Sequence, residues 1–154
     1  MSERAINKLR DDPVFFAKLV MGWVPFPYQE ALLRSKNKRI AACWGRQSGK
    51  TTTIAVKVTH FVYTRPGATV LIISKGLRQS MIMFGVMANM IMSTPILRRS
   101  VIRYTRTQIE LKNGSKIVAL PCSQNGFNLR GYTADMVIMD EAAFRRNPCK
   151  CLSL

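Results

Sequence analysis

The stretch KRIAACWGRQSGKTTT, Lys38 to Thr53, constrains the fold of this chain more than any other. The run KRIAACW (Lys38 to Trp44) reads as a buried strand, and Gly49-Lys50-Thr51 then opens a helix. A strand that turns through glycine into a helix N-terminus aims backbone N–H groups at one point, and a lysine and a hydroxyl follow. That arrangement cradles phosphates. The usual pattern, G-x-x-x-x-G-K-[ST], wants glycine where Trp44 stands; here the first glycine is displaced to Gly45 and Arg46 lies inside the loop. The displacement alters the entry to the loop and leaves its phosphate-facing end intact. The expected phosphate contacts are Gly45, Arg46, Gln47, Ser48, Gly49, Lys50, Thr51 and Thr52.

The flanking segments place this loop in an alternating α/β order. Asp12-Pro13 reads as the N-cap and first turn of a helix through VFFAKLVMG, ended by Gly22. A second short helix begins near Pro27. The helix after Gly49 runs to the Pro66-Gly67 break, and ATVLIIS is an apolar strand. The Met-rich segment from about Leu77 to Ser93 is apolar nearly all round, which fits core packing better than an exposed binding face. VIRYT, TQIEL and KIVALP follow, with Asn113-Gly114 as a hairpin turn, and ADMVIMDEAAF closes on an apolar strand running into two acids. The expected fold is a mainly parallel α/β sheet with helices on both faces and an inserted β-hairpin.

A length of 154 residues allows one domain or part of one, and 47% hydrophobic residues supply a core. Twenty-four Lys+Arg against 8 Asp+Glu give a net charge of +16, which points to a polyanionic partner, nucleic acid above all. The opening MSERAINKLRDD is polar and charged, unlike a secretory signal. The apolar-rich part of the longest uncharged run, Met81 to Leu97, is shorter than the ~20 apolar residues that span a bilayer and is interrupted by Asn89, Ser93 and Thr94. Cys43, Cys122, Cys149 and Cys151 lack metal-ligand spacing and read as reduced thiols, Cys43 as a small core residue. His60 reads as packing or surface.

A triphosphate site also needs a carboxylate at the end of a neighbouring strand. MVIMDE supplies it: Asp140 would hold Mg²⁺ through a water beside Thr51, and Glu141 would act as general base on the attacking water. In so basic a chain, an apolar strand ending in two acids is informative. Arg46 has two roles open to it, stabilising charge that develops during phosphoryl transfer or binding phosphate in the ground state only. Upstream, Gln29 could read the N6/N7 edge of adenine and Tyr28 could stack on the base.

Taken together, PYQ, GRQSGKTTT, IELKNGSKIVALP and LRGYTADMVIMDEAAF resemble the ATPase domain of phage terminase large subunits, over about Pro25 to Phe144. The resemblance implies a P-loop NTPase fold of the RecA/ASCE type. It also implies ATP and Mg²⁺ as cofactors, and a motor that drives double-stranded DNA into a capsid. By position it assigns adenine contact to Gln29, phosphate binding to Arg46, Gly49, Lys50 and Thr51, metal coordination to Asp140 and the catalytic carboxylate to Glu141. It favours Arg46 as an arginine finger in cis; Arg130 and Gly131 match the lead-in without an assigned role. It further implies a portal protein, a small terminase subunit and a homo-oligomeric ring as partners, no membrane, and action in the host cytoplasm.

On this reading residues 1–24 are a helical extension, 25–144 a partial ATPase domain and 145–154 a divergent tail, so the core is expected to be incomplete with an open sheet edge. The tail CLSL resembles the start of an intein, with Cys151 as splicing nucleophile; a truncated or shifted reading frame and an arbitrary fragment end are the alternatives. Two other functions remain: a superfamily-2 helicase-like translocase, which the Ala142-Ala143-Phe144 that follows the acids disfavours, and a non-catalytic fragment that binds nucleic acid through its charge.

Overall fold

The computed structural model describes residues 3–74, 77–121 and 133–140; Glu141, Arg130, Gly131 and the CLSL tail lie outside them. Three short helices lead in: α1 (Glu3–Asp11), α2 (Pro13–Val20) and α3 (Pro27–Arg34). Asp12 caps α2 as expected, its carboxylate accepting the Val14 N–H at 2.9 Å, with Pro13 in the first turn. Helix α4 (Lys50–Thr64) starts at the phosphate-loop lysine, and strand β1 (Thr69–Ser74) follows. Then come α5 (Leu77–Ser93), α6 (Pro95–Arg98), β2 (Val101–Tyr104), β3 (Gln108–Leu111), β4 (Lys116–Pro121) and β5 (Met136–Met139).

The five strands form one sheet in the order β2-β3-β4-β1-β5. β1 pairs in parallel with β4 (Val70 opposite Ile117) and with β5 (Val70 opposite Met136), while β2, β3 and β4 form the expected antiparallel insertion. Every residue of β1 is buried, as in a central parallel strand covered on both faces. Val70 and Ile72 pack under Ala55, Val58 and Val62 of α4 and under Met83, Phe84, Met87 and Ile91 of α5. Met83 and Met87 are thus core residues one turn apart, which settles the Met-rich segment as packing. Leu71, Ile73 and Val118 form a second cluster with Leu120 and Ala134. Of the helices expected on both faces, the described residues supply those over Val70 and Ile72.

One expected element is not formed. Lys38 to Trp44 is not a strand; residues 35–45 have no regular structure, Ile40 is 42% exposed, and Cys43 is an exposed thiol rather than a core residue. A strand exists only in a ladder, and among the described residues none of the five strands pairs with this segment. β5 correspondingly has a ladder on its β1 side alone among those residues, with Val137 36% exposed.

The Asn113-Gly114-Ser115 turn does more than reverse the chain. Asn113 Nδ2 donates to the Val62 carbonyl at 2.7 Å, and Ser115 Oγ donates to the Arg65 carbonyl at 2.7 Å while accepting the Ala68 N–H at 3.1 Å. The turn therefore caps the carboxyl end of α4 and fixes how that helix hands the chain to β1. Gly114, at φ 82, permits the approach.

His60 ties the leading helices to α4. Its Nε2 lies 3.1 Å from the Leu9 carbonyl, which can only accept, so Nε2 carries the proton; the ring meets Phe16 edge-on at 5.3 Å. Burial holds the imidazole below its ordinary pKa, with Lys57 adding to the effect and the Leu9 and Arg10 carbonyls and Asp12 opposing it. The unfolded chain then binds this proton more readily than the folded one, so stability is lost as pH falls below about 6.5. Urea unfolding between pH 5 and 8 should show that decline, and His60→Gln should flatten it; an equal slope in both proteins would remove His60 as its source.

Candidate active site

The site is assembled where α3 meets the loop before α4. At the start of α3, Gln29 reaches back so that its Oε1 accepts the Phe26 N–H at 2.9 Å, and Pro27 fills the first turn. The other end of the same amide, Nε2, donates to the Ser48 carbonyl at 3.3 Å, and the Tyr28 hydroxyl donates to that carbonyl at 2.9 Å. Ser48 in turn donates its hydroxyl to the Gly45 carbonyl at 2.8 Å. Two side chains of one helix thus converge on a single backbone atom of the loop. Gln29 is 3% exposed, so its present role is internal.

The loop's own backbone is tightly wound. Gln47 at φ 59 and Gly49 at φ 75 are both left-handed, a conformation that costs a side chain energy and that glycine adopts freely. A Cβ at Gly49 would stand 2.7 Å from Gln29 Nε2, whereas one at Gly45 would meet nothing within 4 Å. The working glycine is therefore Gly49. From there Lys50, Thr51 and Thr52, all half-buried, form the first turn of α4, and Thr53 donates its hydroxyl to the Gly49 carbonyl at 2.9 Å. Arg46 is exposed and has no ion-pair partner among the described residues.

Trp44, which replaces the pattern's first glycine, sits edge-on to Tyr28 at 5.0 Å, and Phe26 stacks on Tyr28 at 5.9 Å with the rings 4° from parallel. The three rings wall one side of the loop, a feature that sequence spacing alone does not reveal for Phe26 and Trp44. Tyr28 remains 45% exposed.

Asp140, the carboxylate expected to follow the last apolar strand, lies at the end of the sheet that faces the start of α4. α4 returns through residues 65–68 to β1, so the start of α4 and the carboxyl ends of β1 and β5 lie together. Asp140 follows β5 there, its N–H donating to the Ile73 carbonyl at 3.1 Å. A residue that sequence reasoning missed is Lys57 of α4: its half-buried ammonium donates to the carbonyls of Leu32, Leu33 and Ser35 at 2.9–3.0 Å. Burial lowers its pKa. It clamps the carboxyl end of α3, and so holds Tyr28 and Gln29 against the loop.

Comparison with known proteins gives a consistent result. Residues 42–151 match the family of terminase large subunits, T4likevirus-type, N-terminal. The terminase large subunits of Thermus phage G20c and Thermus virus P23-45 are each 32% identical over 90% of this chain. The chain spans 31% of the length of those relatives. The large terminase ATPase domain of Thermus Phage P74-26 superposes with a TM-score of 0.73 at 28% identity, over 86% of this chain and 59% of that domain. The chain belongs to the terminase large-subunit family and has the P-loop NTPase fold of its ATPase domains.

Proposed function

We propose that this chain is the ATP-binding motor portion of a DNA-packaging terminase large subunit, coupling ATP hydrolysis to movement of double-stranded DNA into a capsid. The observation that carries the reading is the tether of Tyr28 and Gln29 to Ser48, which braces a glycine-lysine-threonine loop at the N-terminus of α4 in a chain of this family. Converging backbone N–H groups, a lysine and a threonine hydroxyl fit a nucleotide triphosphate with Mg²⁺.

In this reading Lys50 reaches the β- and γ-phosphates, and Thr51 and Asp140 would hold Mg²⁺, Asp140 through a water. When bound, the ion supplies positive charge between those phosphates. Glu141 takes the proton of the attacking water. Arg46, exposed and without an ion-pair partner among the described residues, swings in cis to meet the charge that develops on the transferred group. Gln29 retains one amide hydrogen and one lone pair beyond its present bonds, the capacity needed to read adenine, with Tyr28 beside the base. A portal protein, a small terminase subunit and a ring of identical subunits complete the motor in the host cytoplasm.

Calorimetry with Mg-ATP on this chain beside Lys50→Ala tests the site. Removing a charge-assisted contact should weaken binding at least tenfold. Equal affinity in both proteins would sink the assignment, and separation of DNA strands during turnover would favour a helicase over a packaging motor.

A further inference from the structure

Beyond the nucleotide site, the strongest charge feature is the opposite edge of the sheet. Arg98, Arg99, Arg103, Arg106, Lys112 and Lys116 lie between α6 and the start of β4, where Glu110 is the single acid. The other described acids lie within residues 3–34, interspersed with Arg4, Lys8, Arg10, Lys18 and Arg34, and beside β5, so the α6–β2 edge differs from the leading helices in having one acid among its cations. Arg98, Arg99, Arg103 and Arg106 are all exposed. Of these four arginines only Arg103 has an ion-pair partner among the described residues, Glu110 at 4.0 Å, a distance at which solvent screens the attraction.

These cations stand on fixed backbone. Leu97 is buried, and its carbonyl accepts the Tyr63 hydroxyl at 2.7 Å, which pins α6 to α4 and sets Arg98 and Arg99 at the surface. Both line a groove with Met92, Ser93, Pro95 and Val101. Along β2, Ile102 is 63% and Tyr104 51% exposed, so the edge strand is open to a partner. Arg106 sits at the tip of the next turn, which the Thr105 N–H closes by donating to the Gln108 carbonyl at 2.8 Å. Four residues of strand span about 13 Å, the axial length of about four phosphates on one DNA strand.

We infer that the α6–β2 edge, through Arg98, Arg99, Arg103 and Arg106, is the surface along which this chain grips the phosphate backbone of duplex DNA. The inference rests on the proposed packaging function and adds to it the place of contact, on the side of the sheet away from Asp140. Four inter-strand spacings of ~4.8 Å put β2 about 19 Å from β5, so DNA and nucleotide occupy separate edges of one rigid sheet.

The test is fluorescence anisotropy of a labelled duplex over a range of salt, with wild type, Arg98→Ala/Arg99→Ala, and Arg4→Ala/Arg10→Ala. The last pair removes the same charge from α1. Each lost phosphate contact reduces the slope of log K against log salt by about 0.9, so the first pair should reduce it by about 1.8 and weaken binding more than tenfold at low salt. The α1 pair should change neither by as much as half of that, and Mg-ATP affinity should be equal in all three. Equal losses in both pairs would overturn the surface while leaving the DNA partner in place. Failure of the wild type to bind any duplex would overturn the DNA reading itself.

Discussion

Gly49→Ala is expected to weaken Mg-ATP binding at least a hundredfold, about 2.7 kcal/mol. Two costs add. An L-residue held at φ 75 is strained by roughly 1–2 kcal/mol. The new methyl would also lie 2.7 Å from Gln29 Nε2, well inside contact distance. A free side chain would swing away, but this amide is buried and held at both ends, by the Phe26 N–H at 2.9 Å and the Ser48 carbonyl at 3.3 Å. Moving it releases the loop from α3. Calorimetry on Gly49→Ala, Gln29→Ala and the double variant separates the costs: the contact is removed once in either single variant, so the double should lose less than the sum, by about 1 kcal/mol or more. Gly45→Ala is the contrast, since its methyl enters open space and folding stability should be unchanged. An affinity within threefold of wild type for Gly49→Ala would show that the tether does not shape the loop.

That contrast bears on what can be read from the chain alone. The pattern's end, Gly49-Lys50-Thr51, was legible because its physics is local: a turn, a helix N-terminus and a hydroxyl lie within three residues. Asp12-Pro13, Asn113-Gly114 and the apolar run before Asp140 were legible for the same reason. The segment Lys38 to Trp44 was not, because a strand depends on a neighbour's amides and apolar composition is silent about whether one is present. Sequence spacing identified Tyr28 and Gln29 but not their shared acceptor, Ser48, 19 residues or more away. The Asn113-Ser115 cap on α4 and the Lys57 clamp join residues more than 20 apart, and neither has a signature other than being polar. The strand order, with β1 between β4 and β5, likewise became visible only in the fold.

The Lys57 clamp makes the second large prediction, because the residue touches neither loop nor nucleotide. Its ammonium meets three carbonyls at the carboxyl end of α3, where the helix dipole favours a cation. Burial alone disfavours that charge, and the ring of acceptors is what makes it tolerable. Lys57→Met keeps the length and apolar stem but leaves the carbonyls of Leu32, Leu33 and Ser35 without a donor. Each orphaned group costs about 1–3 kcal/mol when shielded from water. Leu33 is buried while Leu32 and Ser35 are half-buried and can recruit solvent, so a net loss of about 2 kcal/mol is expected. Urea unfolding at neutral pH measures it. The functional consequence should travel with it: α3 loosens on α4, Tyr28 and Gln29 lose their hold on Ser48, and Mg-ATP affinity falls about tenfold, the equivalent of ~1.4 kcal/mol. A stability loss with unchanged affinity would confine Lys57 to the scaffold and free the loop from dependence on α3. Unchanged stability would mean that water replaces the amine at all three carbonyls without cost.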